Sequence, residues 1–327
     1  MTTVSDGLYQ YGGVPVGGMF TPGRAIFVRP GTGSDGDNGK SPNKAVKTLS
    51  KALSLATANV GDVVYLIAES NTASSTTDYQ TATLDWNKDG VHLIGIGAGP
   101  IIGQRSRIGQ DSSTLTIDSL FKISANNCLI KNIEIFQGVS GSTAITPVAL
   151  EVTGQRNVFD NLQISGMGDG TAANDMDVAA GRSLKLTAAS ENIFKNCYIG
   201  LDTVIKATAE AECELSGACT RNIFDRCIFN TYTSNANMLM WKIDATMDRF
   251  TIFRDCAFIN VLNITSATEM TAAFDAASIN GNIHILNPYL SGFTNITAAD
   301  AARVKVLGLD GTATGHLIGI SAAVDVA

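Results

Sequence analysis

Four phrases decide the fold: Asn157-Val-Phe-Asp-Asn161-Leu-Gln-Ile164, Asn192-Ile-Phe-Lys-Asn196-Cys-Tyr-Ile199, Asn222-Ile-Phe-Asp-Arg226-Cys-Ile-Phe229 and Thr251-Ile-Phe-Arg-Asp255-Cys-Ala-Phe258. Each is one apolar strand, a bend, and the start of a second strand. A degenerate copy, Cys128-Leu-Ile-Lys-Asn132-Ile-Glu-Ile135, precedes them, and a weaker one surrounds Asn287. The bend positions 132, 161, 196, 226, 255 and 287 are spaced 29, 35, 30, 29 and 32 residues apart. A third apolar strand lies upstream in each repeat, as in Val148-Ala-Leu-Glu-Val152 or Met240-Trp-Lys-Ile243. Three short strands per repeat, rich in β-branched and aromatic residues, are not helical repeats and predict an all-β parallel solenoid.

In a solenoid each residue lies on its equivalent one period away, about 4.8 Å along the axis. Columns must therefore tolerate contact with themselves. One column reads Ile130, Phe159, Phe194, Phe224 and Phe253, an aromatic stack that fills the interior. A second ends in Cys197, Cys227 and Cys256, which read as small core groups rather than a metal or disulfide site. A third, Asn132, Asn161 and Asn196, falls at the bend, where Asn accepts a left-handed backbone and bonds the amide above it. Cys213 and Cys219 flank Glu-Leu-Ser-Gly-Ala as a pair able to bridge, with reduced thiols the default for a chain made in a cytoplasm.

Composition fits this picture. The chain has 327 residues, a formal net charge of −7 and 16% charged residues, below the roughly 25% of an average soluble domain. An acidic, weakly charged surface argues against nucleic acid as a partner. Residues 1–21 lack the charged and apolar regions of a signal peptide, and no apolar run has the length of a membrane span. The six cysteines form no CxxC pair, and the three histidines, His92, His284 and His316, lie far apart, so no metal or cofactor is expected.

Ala25-Ile-Phe-Val, the loop Arg29 to Pro42 with Asp35 and Asp37, the helical spacing of Val46, Leu49, Ala52, Leu53 and Ala56, and Val91-His-Leu-Ile-Gly-Ile-Gly together resemble the opening of the pectate-lyase-like right-handed parallel β-helix superfamily. The resemblance covers about residues 25 to 293 and implies a single-stranded coil whose open end is covered by a short capping helix near 45–57. The whole chain looks most like virion proteins of tailed bacteriophages, tailspikes and tailspike-like trimers that decorate capsids. That resemblance implies a Gly-rich anchoring arm at 1–24, the β-helix at 25–293, and a cap or oligomerisation segment at 294–327. It further implies a homotrimer on the virion surface, bound to the major capsid protein through Tyr9, Tyr11, Val14, Val16, Met19 and Phe20, and no enzyme. The arm has no periodicity and is expected to take its order from a partner surface.

The alternative is a tailspike that binds or cleaves host surface polysaccharide, and a remoter one is an intracellular carbohydrate-active enzyme. Glycosidase chemistry needs two carboxylates about 5 to 9.5 Å apart. The candidates are Asp169, Asp175 and Asp177 in one long insertion, and Asp225 with Asp255 one repeat apart; Lys195 and Arg254 beside the second pair also fit a solvated charge ladder. Trp241 alternates out of its strand as a lateral contact, and Trp86 packs at a strand start. The links from Phe136 to Pro147, Ser165 to Ser183, Gly200 to Glu212, Asn230 to Leu239 and Asn260 to Thr271 vary most, which predicts one elaborated side of the coil.

Overall fold

In the computed structural model the chain forms a parallel β-helix. The structure describes residues 22–68, 77–97, 106–111, 116–138, 146–168, 177–243, 246–262, 265–277, 279–298 and 301–307, and the backbone of 2–5, 8–11 and 14–16. Strands fall into three parallel sheets of ten, eight and eight strands, visited in turn. Sheet 1 runs from Ala25–Val28 to Val304–Leu307, sheet 2 from Thr77–Gln80 to Tyr289–Ser291, and sheet 3 from Leu84–Trp86 to Phe293–Thr297. The coil thus continues past residue 293.

The links explain the regularity. Sheet 1 passes to sheet 2 through two residues, the first left-handed: φ is 57° at Asn132, 57° at Asn161 and 51° at Asn196, with Arg226, Asp255 and Asn287 following in the same conformation. Asn tolerates this region better than most residues, and Asn161 Nδ2 donates to Asn132 Oδ1 at 2.9 Å. The column then changes partners, with Asn196 Nδ2 donating to Asp160 Oδ1 at 3.2 Å. A second, fully buried asparagine column lies at the bend from sheet 3 to sheet 1. Asn157 accepts from the Cys128 amide, Asn192 from the Asn157 amide and Asn222 from the Asn192 amide, at 2.8, 3.0 and 3.0 Å. Their amide groups return bonds to the Ala125, Gly154 and Ala189 carbonyls of the previous turn. Each side chain so satisfies two backbone groups that no water reaches.

The interior is a stack in register. Ile130, Phe159, Phe194, Phe224 and Phe253 pair rung on rung, with parallel rings 4.3, 4.8 and 4.8 Å apart. Trp241 corrects the sequence expectation: it points inward, fully buried, edge-on to Phe224, Phe229 and Phe253 at 5.0 to 5.3 Å. It registers on Cys213, whose small side chain leaves the space a tryptophan fills. All six cysteines are buried and free, so Cys213 and Cys219 do not pair. Cys197, Cys227 and Cys256 direct Sγ at the Phe159, Phe194 and Phe224 carbonyls, and burial pushes the Cys227 thiol up.

The coil's first end is closed by a helix, Leu49–Leu55, shorter than the expected 45–57. Residues 45 and 46 stay extended, and Val46 exchanges backbone bonds with Phe27 and Arg29, covering the free edge of the first strand. Asp35 accepts the amides of Lys47 and Thr48 at 2.8 and 3.0 Å, and Thr48 caps the helix by accepting from Lys51. Leu49, Ala52 and Leu53 face the core. Asp78, 3% exposed, reaches from the next rung to accept the Leu49 amide at 3.0 Å and Gln80 Nε2 at 2.7 Å. Burial raises its pKa to about 6.

The arm has backbone structure of its own, which the sequence expectation missed. Thr2–Ser5, Leu8–Tyr11 and Val14–Val16 form an antiparallel sheet, with Asp6-Gly7 and Gly12-Gly13, pairs suited to two-residue hairpin links, between them in sequence. Tyr9, Tyr11, Val14 and Val16 lie on these strands, whereas Met19 and Phe20 are outside the described residues.

Candidate functional site

Each sheet turns one face outward, and the three faces differ in chemistry. On sheet 3, Asp85, Lys122, Glu151, Lys185, Glu214, Lys242 and Asp275 share one column of alternating sign. Lys185 lies 3.5 Å from Glu214 and Lys122 4.0 Å from Glu151. Arg182, with 2% of its side chain exposed, joins Glu214 at 2.8 Å. Lys242 holds Glu210 at 2.6 Å and lowers its pKa.

Sheet 1 carries two outward columns. Lys131, Asp160, Lys195, Asp225 and Arg254 alternate in sign, with Lys131 to Asp160 at 2.7 Å and Arg254 to Asp225 at 2.8 Å. The hydrogen bond and charge of Arg254 hold the Asp225 carboxyl below its usual range. Beside them Leu129, Val158, Ile193, Ile223 and Ile252 make an unbroken aliphatic column, each half-buried. A further ion group, Arg156, Glu191 and Arg221, lies at the bend just upstream of these strands. At its first end the column joins an outer apolar cluster of Phe27, Val63, Tyr65, Ile67 and Ile94. His92 stands in the same file and accepts the Leu129 amide on Nδ1 at 3.0 Å, with burial lowering its pKa.

Sheet 2 is nearly uncharged. One outward column runs Thr77, Arg107, Glu134, Gln163, Tyr198, Ile228, Ala257, Tyr289, and the other runs from Tyr79 through Gly109 and Phe136 to Ser165. In these two columns the charges are Arg107 and Glu134, joined at 2.5 Å, and Asp202 on the strand Tyr198–Lys206 lies near Tyr198. Tyr79, Phe136 and Tyr289 are 46%, 36% and 45% exposed. Tyr198 is half-buried and accepts from Asn230 Nδ2 at 2.6 Å, and burial raises its pKa to about 12.

The carboxylates named from sequence do not converge among the described residues. Asp169 and Asp175 lie outside them. Asp177 is buried and accepts the amides of Ala207, Thr208 and Ala209, which makes it the anchor of a neighbouring link. Asp225 registers on Arg254 rather than on Asp255; Asp255 sits one residue later at the left-handed bend and accepts from Asn287. Asp35 and Asp37 are taken by the helix start and by Lys44. Among the described residues no group of acidic, His and Cys side chains has metal-binding geometry.

The sequence did not reveal one buried cluster. Lys206 and Glu212, both with no side-chain exposure, lie 3.6 Å apart, and Glu212 also accepts from Ser183 and Thr231. Lys206 donates to the Leu201 carbonyl. A charge pair fully out of water, its carboxylate held by two hydroxyls, clamps the corner between sheets 2 and 3. No periodicity announces it, because both residues lie in or at the end of a variable link.

No protein-family model matches the chain, and no curated protein matches it. Solved structures do share its coil. It is similar to a rhamnogalacturonan lyase at TM-score 0.57 and 16% identity, over 82% of this chain and 68% of that one. Pectate lyase Pel9A gives 0.59 and 15% over 90% and 72%, and the pectin methylesterase PemA from Erwinia chrysanthemi 0.51 and 14% over 88% and 94%. At such identity the likeness shows the fold: a parallel β-helix of the pectate-lyase-like kind. The comparisons also correct the expectation of no enzyme, since these structures sharing the coil are carbohydrate-active enzymes.

Proposed function

We propose that the chain is a structural protein of a bacteriophage particle, a tailspike-like homotrimer tied to the major capsid protein by residues 1–24. The observation that carries the reading is the aliphatic column Leu129, Val158, Ile193, Ile223 and Ile252, bordered by ion pairs on the same sheet. An apolar strip with a polar rim is the anatomy of a subunit contact. Parallel coils related by a three-fold axis bring one such flank of each subunit to a neighbour and close the assembly. Light scattering on the full chain is expected to give the mass of three subunits, and Ile193→Lys with Ile223→Lys the mass of one. A monomeric wild-type chain, or a variant that remains trimeric, would refute the seam.

A separate observation favours a second reading, a tailspike that binds or cleaves host surface polysaccharide. Sheet 2 exposes aromatic side chains on an almost uncharged face, and the solved structures described above are, by name, two lyases and an esterase of pectic polysaccharides.

A further inference from the structure

We infer that the outward face of sheet 2 is a binding platform for an uncharged polysaccharide lying along the coil axis. The inference rests on the polysaccharide reading and is independent of the trimer. Two features of the face carry it: how its rings lie and what charge it bears.

The exposed rings of Phe136 and Tyr79 lie beside glycines. A Cβ built on Gly138 would collide with the Phe136 ring at Cζ, and one on Gly168 would meet the same ring at 3.1 Å. A Cβ on Gly109 would stand 3.6 Å from two carbons of the Tyr79 ring. The Phe136 ring therefore takes the room that side chains at Gly138 and Gly168 would fill, the Tyr79 ring lies alongside Gly109, and 36% and 46% of the two residues stays exposed to a ligand. A flat ring face packs against the C–H face of a pyranose by dispersion and burial of apolar area.

The spacing is regular. Tyr79 registers on Gly109 and Gly109 on Phe136, so these two rings stand two rungs apart. Tyr198 follows two rungs beyond Phe136, through Glu134 and Gln163 in the adjoining column. Tyr79, Phe136 and Tyr198 thus recur at roughly 10 Å along the axis, and Tyr289 stands three rungs beyond Tyr198. An extended chain of sugar rings repeats along one direction and meets such a line at more than one place, which multiplies weak contacts.

Charge decides the class of glycan. Sheets 1 and 3 both turn alternating ionic columns outward, whereas the cation of this face, Arg107, is paired with Glu134. The chain as a whole carries −7. A uronic-acid polymer brings a negative charge at every sugar, and among the described residues of this face the outward cation is already paired. A neutral chain loses nothing on leaving water beyond its hydroxyl hydrogen bonds, for which Tyr79, Tyr198 and Tyr289 bring phenol hydroxyls to the same face.

The test is affinity electrophoresis of the full-length protein through gels containing dextran, galactomannan, glucomannan, mixed-linkage β-glucan or polygalacturonate. Retardation by at least one neutral polymer is expected, unchanged up to about 1 M salt, where charge interactions are screened within about 3 Å. The double variant Tyr79→Ala with Tyr289→Ala removes two exposed rings outside the core, and binding is expected to weaken about tenfold or more. Light scattering and thermal unfolding of the same variant should be unchanged. Binding to polygalacturonate alone, abolished by salt, would overturn the neutral assignment while leaving the polysaccharide reading intact. No retardation by any polymer would overturn both, and loss of the trimer in the double variant would make this face a subunit contact instead.

Discussion

Asp78 makes the capping helix sensitive to pH, and replacing it with Asn removes that sensitivity. Its carboxyl is 3% exposed, accepts the first helical amide, and has a pKa raised from 3.8 to about 6, first by burial and further by Asp35. The sign follows from linkage. A carboxyl with a raised folded pKa gives its full stabilisation below pH 3.8 and loses it as pH climbs through about 6. At 1.36 kcal/mol per unit the difference is about 3 kcal/mol, most of it lost between about pH 4 and pH 7. Asp62 and Asp225 act oppositely: their pKa values are lowered, so their contribution holds at neutral pH and fades in acid. The absolute pH profile therefore mixes these contributions, and the informative quantity is the gap between wild type and Asp78→Asn. Asn keeps an oxygen for the Leu49 amide without a charge to bury. Urea denaturation at about pH 4 and pH 7.5 should show the variant gaining roughly 2 to 3 kcal/mol on the wild type as pH rises. Equal pH dependence of the two proteins would refute the assignment of a buried, titrating Asp78.

Asn192→Ala strands the Asn157 amide and the Gly154 carbonyl in the interior, each costing about 1 to 3 kcal/mol; Asn161→Ala strands no buried backbone group and should cost only the left-handed preference at that bend, about 1 to 2 kcal/mol, and a smaller loss for Asn192→Ala than for Asn161→Ala would contradict the inner column's role. Ellman's reagent should modify none of the six cysteines in the native protein and all of them in denaturant, because the thiols are buried and free. Rapid native labelling of Cys197, Cys227 or Cys256 would show that this column is not core.

The interior was legible in the sequence because a solenoid obliges every position to match itself. Phe159, Phe194, Phe224 and Phe253 could be placed in file by counting alone, and so could the bend that Asn132 opens. Trp241 was misplaced for a related reason: in a five-residue strand, alternation is ambiguous by one position, and the room above Cys213 decides it. The column Asn157, Asn192 and Asn222 begins the very phrases that revealed the repeat. Polar residues at a strand's edge read as solvent-facing until the carbonyls they satisfy are seen. Asp225 and Asp255 looked like a stacked pair because they fall in successive repeats, yet one residue of register separates them: Asp225 lies on Arg254, and Asp255 has already entered the bend. The ring platform on sheet 2 was hidden because the glycines beside Phe136 come from two different links, whose lengths no repeat unit specifies.

The alternating column on sheet 3 sets a rule of parity for how such a chain can change length. A coil built of nearest-neighbour contacts tolerates gain or loss of a turn wherever the core columns still match. Excising the turn that contributes Lys185 would set Glu151 directly beneath Glu214, and like charges in file destabilise neighbouring strands. Excising two adjacent turns restores opposite signs at the junction. Along Asp85 to Asp275, duplication and deletion are thus tolerated in even steps, so that the outer face, and not the core alone, counts the turns.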